Sequence, residues 1–147
     1  MSQVLNLFNS VGPEQFTTMI CQIAPYFSTI TPSVTALRPG YAEATVPLRK
    51  EVTNHLGTMH AIALCNAAEL VAGTMTDASL PAGYRWIPKG MSVEYLAKVK
   101  TDIRAVSDGS GIDWTQTGDQ VVPVEVFDTE GKKVFTARIT MNVKAAG

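Results

Sequence analysis

Positive charge is missing from the opening of this chain, where no lysine or arginine precedes Arg38. A secretory or mitochondrial leader needs a basic start, so none is expected and a cytoplasmic location follows. No apolar run approaches the ~20 residues that cross a bilayer, so a membrane partner is not expected either. Neither sign of charge is in excess: 12 Lys and Arg stand against 13 Asp and Glu, a net charge of -1. That balance gives no electrostatic basis for binding nucleic acid or anionic lipid. Cysteine is scarce, with only Cys21 and Cys65. Both lie in apolar helical surroundings and read as reduced, buried thiols of a reducing compartment. The Gly-x-Ser-x-Gly elbow is absent, and neither cysteine has a histidine setting that would activate a thiolate. His55, His60 and Cys65 are spaced by five, which walks around a helix, so neither a metal site nor any other cofactor is expected.

What is present suits one domain over residues 1–147, with 46% hydrophobic and 17% charged residues. Apolar residues at helical spacing (Val4, Leu5, Phe8, then Phe16, Met19, Ile20, Ile23) predict two short helices separated by Gly12-Pro13 and ended by Pro25. Ala42, Ala44, Val46 and Leu48 alternate with polar residues as in a half-buried strand, with Pro47 at its end or edge. Residues 58–76 change to a helical period, with Ala61, Leu64, Cys65, Ala68, Ala72 and Met75 forming a narrow stripe. Strand alternation returns at Met91 to Val99, at Ile103 to Val106, and in a hairpin of Val122, Val124 and Val126 against Phe135, Ala137, Ile139, Met141 and Val143. Residues 111–120 fit no element. One strand, one long helix and then several antiparallel strands predict an α+β domain whose sheet curls around the helix.

Between Glu51 and Asp77 the only formally charged side chain is Glu69. A lone carboxylate on a helix built to be buried is costly unless it is paired, hydrated or used. It falls about 80° from the centre of the apolar stripe, on its flank with Ile62 and Gly73. The segment opens with Asn54-His55-Leu56-Gly57-Thr58-Met59-His60. Taken with the order of elements, Asn54, Leu56-Gly57-Thr58-Met59, His60 and Glu69 nine residues later resemble the hotdog-fold acyl-CoA thioesterases. The likeness is greatest to the branch of small aromatic and medium-chain acyl-CoA breakdown, such as phenylacetate-type pathways. It covers residues 34–145, leaving 1–33 as an N-terminal helical extension. The family's His-Gly-Gly reads His60-Ala61-Ile62 here, which places side chains where the family keeps bare backbone.

The resemblance implies a hotdog fold, hydrolysis of an acyl-CoA to free acid and CoA, and no cofactor. By the same analogy Glu69 is nucleophile or general base, the Ala61 N–H polarises the thioester carbonyl, and Asn54 and His60 position water or substrate. Gly57, Thr58 and Ile62 would line the substrate. For the coenzyme A phosphates, Lys89-Gly90 is the preferred pair, because glycine beside lysine lets backbone and ammonium approach together.

Free N–H groups at a helix start suit the oxygen that becomes negative during acyl transfer. Eight helical residues separate Ala61 from Glu69, roughly 12 Å, whereas both must lie about 3 Å from reacting atoms. Used together, they come from different subunits, which predicts a homodimer with antiparallel central helices or a homotetramer built from such dimers. The family keeps its sites at dimer interfaces as well. A non-catalytic acyl-CoA binding or sensing module on the same fold is the rival reading, and a hydroxyacyl-thioester dehydratase using His60 as base is a third. The N-terminal helices would pack over the sheet end, or line an acyl tunnel, or attach to a membrane interface.

Overall fold

Glycine and proline set the first breaks in the chain. In the computed structural model, which describes residues 2–145, α1 (Gln3–Val11) starts at Ser2, whose hydroxyl accepts the Leu5 N–H at 2.9 Å. It ends at Gly12, with φ +85°, and Pro13 opens α2 (Pro13–Ile23). Phe8 and Phe16 lock the two helices edge to face, with ring centroids 5.2 Å apart. A 3-10 turn (Pro25–Ile30) leads to β1 (Ser33–Arg38) and β2 (Tyr41–Val46), and a second short turn (Lys50–Val52) precedes α3 (Ala61–Ser79). Four strands follow: β3 (Arg85–Tyr95), β4 (Ile103–Asp108), β5 (Gly118–Asp128) and β6 (Lys133–Lys144).

All six strands pair antiparallel in the order β1-β2-β4-β5-β6-β3. Val122, Val124 and Val126 face Ile139, Ala137 and Phe135 in register, all six buried, so the hairpin read from the sequence is the centre of the core. The sheet wraps α3, giving the curled antiparallel sheet around one long helix that the sequence predicts, with the extra helices at the N terminus.

Several expectations change, and β3 runs Arg85–Tyr95 where the alternation in the sequence ran from Met91 to Val99. The narrow stripe on α3 is too narrow: Ala67, Leu70, Val71 and Thr74 are buried as well, because α1 and the Pro25–Ile30 turn contact the flank that the sheet leaves open. A second strand, β1, precedes the helix. Its register shifts between Val34 and Ala36, so its buried residues Val34 and Leu37 stand three apart and the period of two is hidden.

The two outer strands differ. At β1 the edge is blunted by α2, where the Val34 N–H donates to Thr17 Oγ1 at 2.9 Å. Among the described residues strand β3 pairs only with β6, and Ile87, Met91 and Tyr95 on it are exposed. A long edge strand with exposed apolar residues is a template for pairing with another chain.

Candidate active site

The turn before α3 is held by Asn54. Its Oδ1 accepts the Leu56 N–H at 2.9 Å and the Thr58 N–H at 3.2 Å, while its own N–H donates to Thr58 O at 2.9 Å. Gly57 takes the left-handed conformation this turn needs, with φ +78°. Asn54 therefore shapes the turn, and Thr58 is buried within it.

The chain is then fixed from both sides, as the Met59 N–H donates to Val99 O and the His60 N–H to Val52 O. His60 caps α3, its Nδ1 accepting the Ile62 N–H at 3.0 Å. Its carbonyl accepts from the Ala63 and Leu64 N–H groups. That leaves one of the first four helical N–H groups, Ala61's, with no acceptor among the described residues. Ala61 lines a cavity of about 330 Å³ with Asn54, Leu56, Thr58, Tyr95 and Lys98. The Tyr95 hydroxyl lies 3.8 Å from Cys65 Sγ. That contact, with a smaller effect of burial, raises the phenol above its ordinary value.

Glu69 lies elsewhere. It is half-buried on the wall of a second cavity, of about 250 Å³, lined from α2 and the following turn by Ile20, Ile23 and Phe27, from α3 by Gly73 and Asp77, and from β3 by Trp86 and Pro88. No hydrogen bond or ion pair engages the Glu69 carboxylate among the described residues. The neighbouring acid is engaged, since Asp77 Oδ1 accepts the Trp86 indole N–H at 3.1 Å.

The protein thus groups Asn54, Thr58 and Ala61 at one cavity and sets Glu69 in another. Gly57 belongs to the turn, and His60 is exposed at the helix start. Ile62, 54% exposed, joins His60 and Asn66 around a third cavity, so within the protomer it does not crowd the Ala61 N–H. Lys89 is ion-paired to Asp119 at 2.9 Å. Hydrogen bonds from Asn142 and Lys89 hold that carboxyl below its usual range. Neither Lys89 nor Gly90 lines the Glu69 cavity or the Ala61 cavity, whereas Lys98 borders the one at Ala61.

Both cysteines are free and only half-buried, not enclosed as expected. No group of three or more His, Cys, Asp or Glu able to hold a metal occurs among the described residues. None of the described helices is long and apolar enough to cross a membrane. Sequence reasoning missed the contribution of Trp86 and Asp77 to the Glu69 cavity, and of Tyr95 to the other, and had the N-terminal helices, whose Ile20 and Ile23 line the Glu69 cavity, as a tunnel lining among three alternatives. Only Asp77 carried a signal, standing eight residues after Glu69 and so near the same helix face.

A family model described as a domain of unknown function, DUF4442, matches residues 12–143. The chain belongs to this DUF4442 family. A structural-genomics crystal structure whose name states no activity is 62% identical over 98% of this chain and 97% of its own, with a TM-score of 0.90. A thioesterase from Haemophilus influenzae is 18% identical over 82% of this chain and 83% of its own, with a TM-score of 0.73. A thioesterase variant from Pseudomonas aeruginosa is 17% identical over 80% and 84%, with a TM-score of 0.71. At those identities the likeness is one of fold, and this DUF4442 chain has the hotdog fold. No curated protein matches it in sequence.

Proposed function

We propose that this protein hydrolyses an acyl-CoA thioester at a site shared between two subunits. The observation that carries the reading is the pairing of an unengaged carboxylate, Glu69, with an unengaged helix-start N–H, Ala61. They stand on one half-exposed stripe of α3, with Cys65 between them. About 12 Å apart along the axis, they cannot serve one carbonyl within a chain. An antiparallel pairing of two α3 helices sets Glu69 of one chain beside Ala61 of the other, twice per dimer. The free edge of β3, with Met91 and Tyr95 exposed, supports the same assembly. A dimer of dimers is compatible with it.

In this reading the Ala61 N–H and the α3 dipole stabilise the developing oxyanion. Glu69 either takes a proton from the attacking water or attacks the carbonyl itself. Collapse of the tetrahedral species breaks the C–S bond, and the thiolate leaves as coenzyme A and takes up a proton. In the carboxylate-attack route, water then cleaves the acyl-glutamyl anhydride. His60 acts by capping the helix and Asn54 by shaping the turn. Lys98 beside the Ala61 cavity is better placed for a coenzyme A phosphate than Lys89, which Asp119 already engages. Two unpaired cysteines fit a reducing, cytoplasmic setting.

The relatives named as thioesterases share the fold and lend the reading support. The test is thiol release from a panel of acyl-CoA substrates. Glu69→Gln should lose about 10²-fold or more in kcat/KM while remaining folded. Tight binding of acyl-CoA without turnover by the wild-type protein would favour a sensing role instead.

A further inference from the structure

The Glu69 cavity is lined in part by an aromatic side chain held from two directions. The Trp86 indole N–H donates to Asp77 Oδ1 at 3.1 Å. A Cβ on Gly73 would stand 3.0 Å from Trp86 Cη2, so the ring occupies the space that a glycine leaves on α3. Glu69, Gly73 and Asp77 follow one another at successive turns on one helix face, which puts the ring roughly 6 Å along the axis from the carboxylate. Ile20, Ile23 and Phe27 add apolar lining from α2 and the turn after it. The cavity of about 250 Å³ exceeds the ~150 Å³ in which a dry protein cavity holds benzene, but by too little for a long alkyl chain.

We propose that this cavity is the acyl pocket and that Trp86 is its stop. The pocket accepts unbranched acyl groups of about six to eight carbons and turns away chains of about twelve or more. The substrate's thioester chemistry rests on the hydrolase reading above, whereas the length limit is a property of the pocket alone. Trp86 is a specificity-determining residue, fixed by Asp77 and by the absence of a side chain at Gly73. Opening it should lengthen the preferred chain, and adding a methyl group at Gly73 should shorten it.

The test is calorimetric binding of non-hydrolysable S-alkyl-CoA thioethers, from about four to about sixteen carbons, beside hydrolysis of the matching acyl-CoAs. Wild-type affinity should rise about fourfold per methylene up to about eight carbons and fall by at least about tenfold at twelve. Trp86→Leu should move the maximum to longer chains and Gly73→Ala to shorter ones, with thermal melts confirming that each is folded. A flat wild-type profile, no thioether binding at all, or the same maximum in both variants would overturn the proposal. A length limit that moves as stated without any hydrolysis would keep the pocket and remove the hydrolase reading. Hydrolysis with an immovable limit would do the reverse.

Discussion

The Glu69 and Ala61 cavities beside α3 differ in chemistry as well as in place. Around the helix start the polar groups include donors, the free Ala61 N–H, the Tyr95 hydroxyl and the Lys98 ammonium, and no acid. The other cavity is apolar apart from Glu69, Thr74 and Asp77. Its donors are occupied, Thr74 by the Leu70 carbonyl and Trp86 by Asp77. One cavity can stabilise negative charge and the other can supply it, so neither has the means to cleave a thioester alone. The contrast between the sheet edges runs parallel, since α2 hydrogen-bonds to β1 while β3 lies open.

The contrast breaks most severely at Ala61. His60 already has φ -63° and ψ 139°, the conformation favoured before proline, and the first helical position tolerates proline well. Ala61→Pro should therefore keep the fold yet delete the one free N–H, lowering kcat by about 10²-fold or more in the thiol-release assay. An active, folded Ala61→Pro protein would remove the oxyanion role. Next in size, Met91→Asp places a charge on the exposed β3 edge. A buried unpaired carboxylate costs several kcal/mol, so light scattering should show dissociation to monomers, with activity falling in step. A Met91→Asp protein that stays assembled and active would mean that β3 is not the contact. The smallest effect belongs to His60. His60→Ala should lower stability by about 1 kcal/mol in urea unfolding, and His60→Asn, which can also cap, should restore most of it. A large loss of kcat in both variants at unchanged stability would instead make His60 catalytic.

The elements legible in the sequence are those with an undisturbed period. The hairpin of β5 and β6 alternates from Val122 to Val126 and from Phe135 to Val143 because one face is core and the other is not, and α1 and α2 are punctuated by Gly12, Pro13 and Pro25. Strand β1 was hidden by its bulge. The start of β3 was hidden by Pro88 and Gly90, between which its register also shifts. In the site, the separation of Ala61 from Glu69 followed from helix geometry alone. What covers Glu69 did not, because Ile20, Phe27 and Trp86 reach it only through tertiary packing. The Ala61-Ile62 departure predicted crowding, and within the protomer Ile62 lines a different cavity from the free N–H.

The central claim, one site from two subunits, is tested most directly by mixing two inactive variants. Glu69→Gln and Ala61→Pro chains, unfolded and refolded together at equal concentration, should recover about one quarter of wild-type thiol release, because half the dimers then carry one intact site. Each variant refolded alone should stay inactive. No recovery in a mixture shown to contain mixed dimers would contradict the shared site.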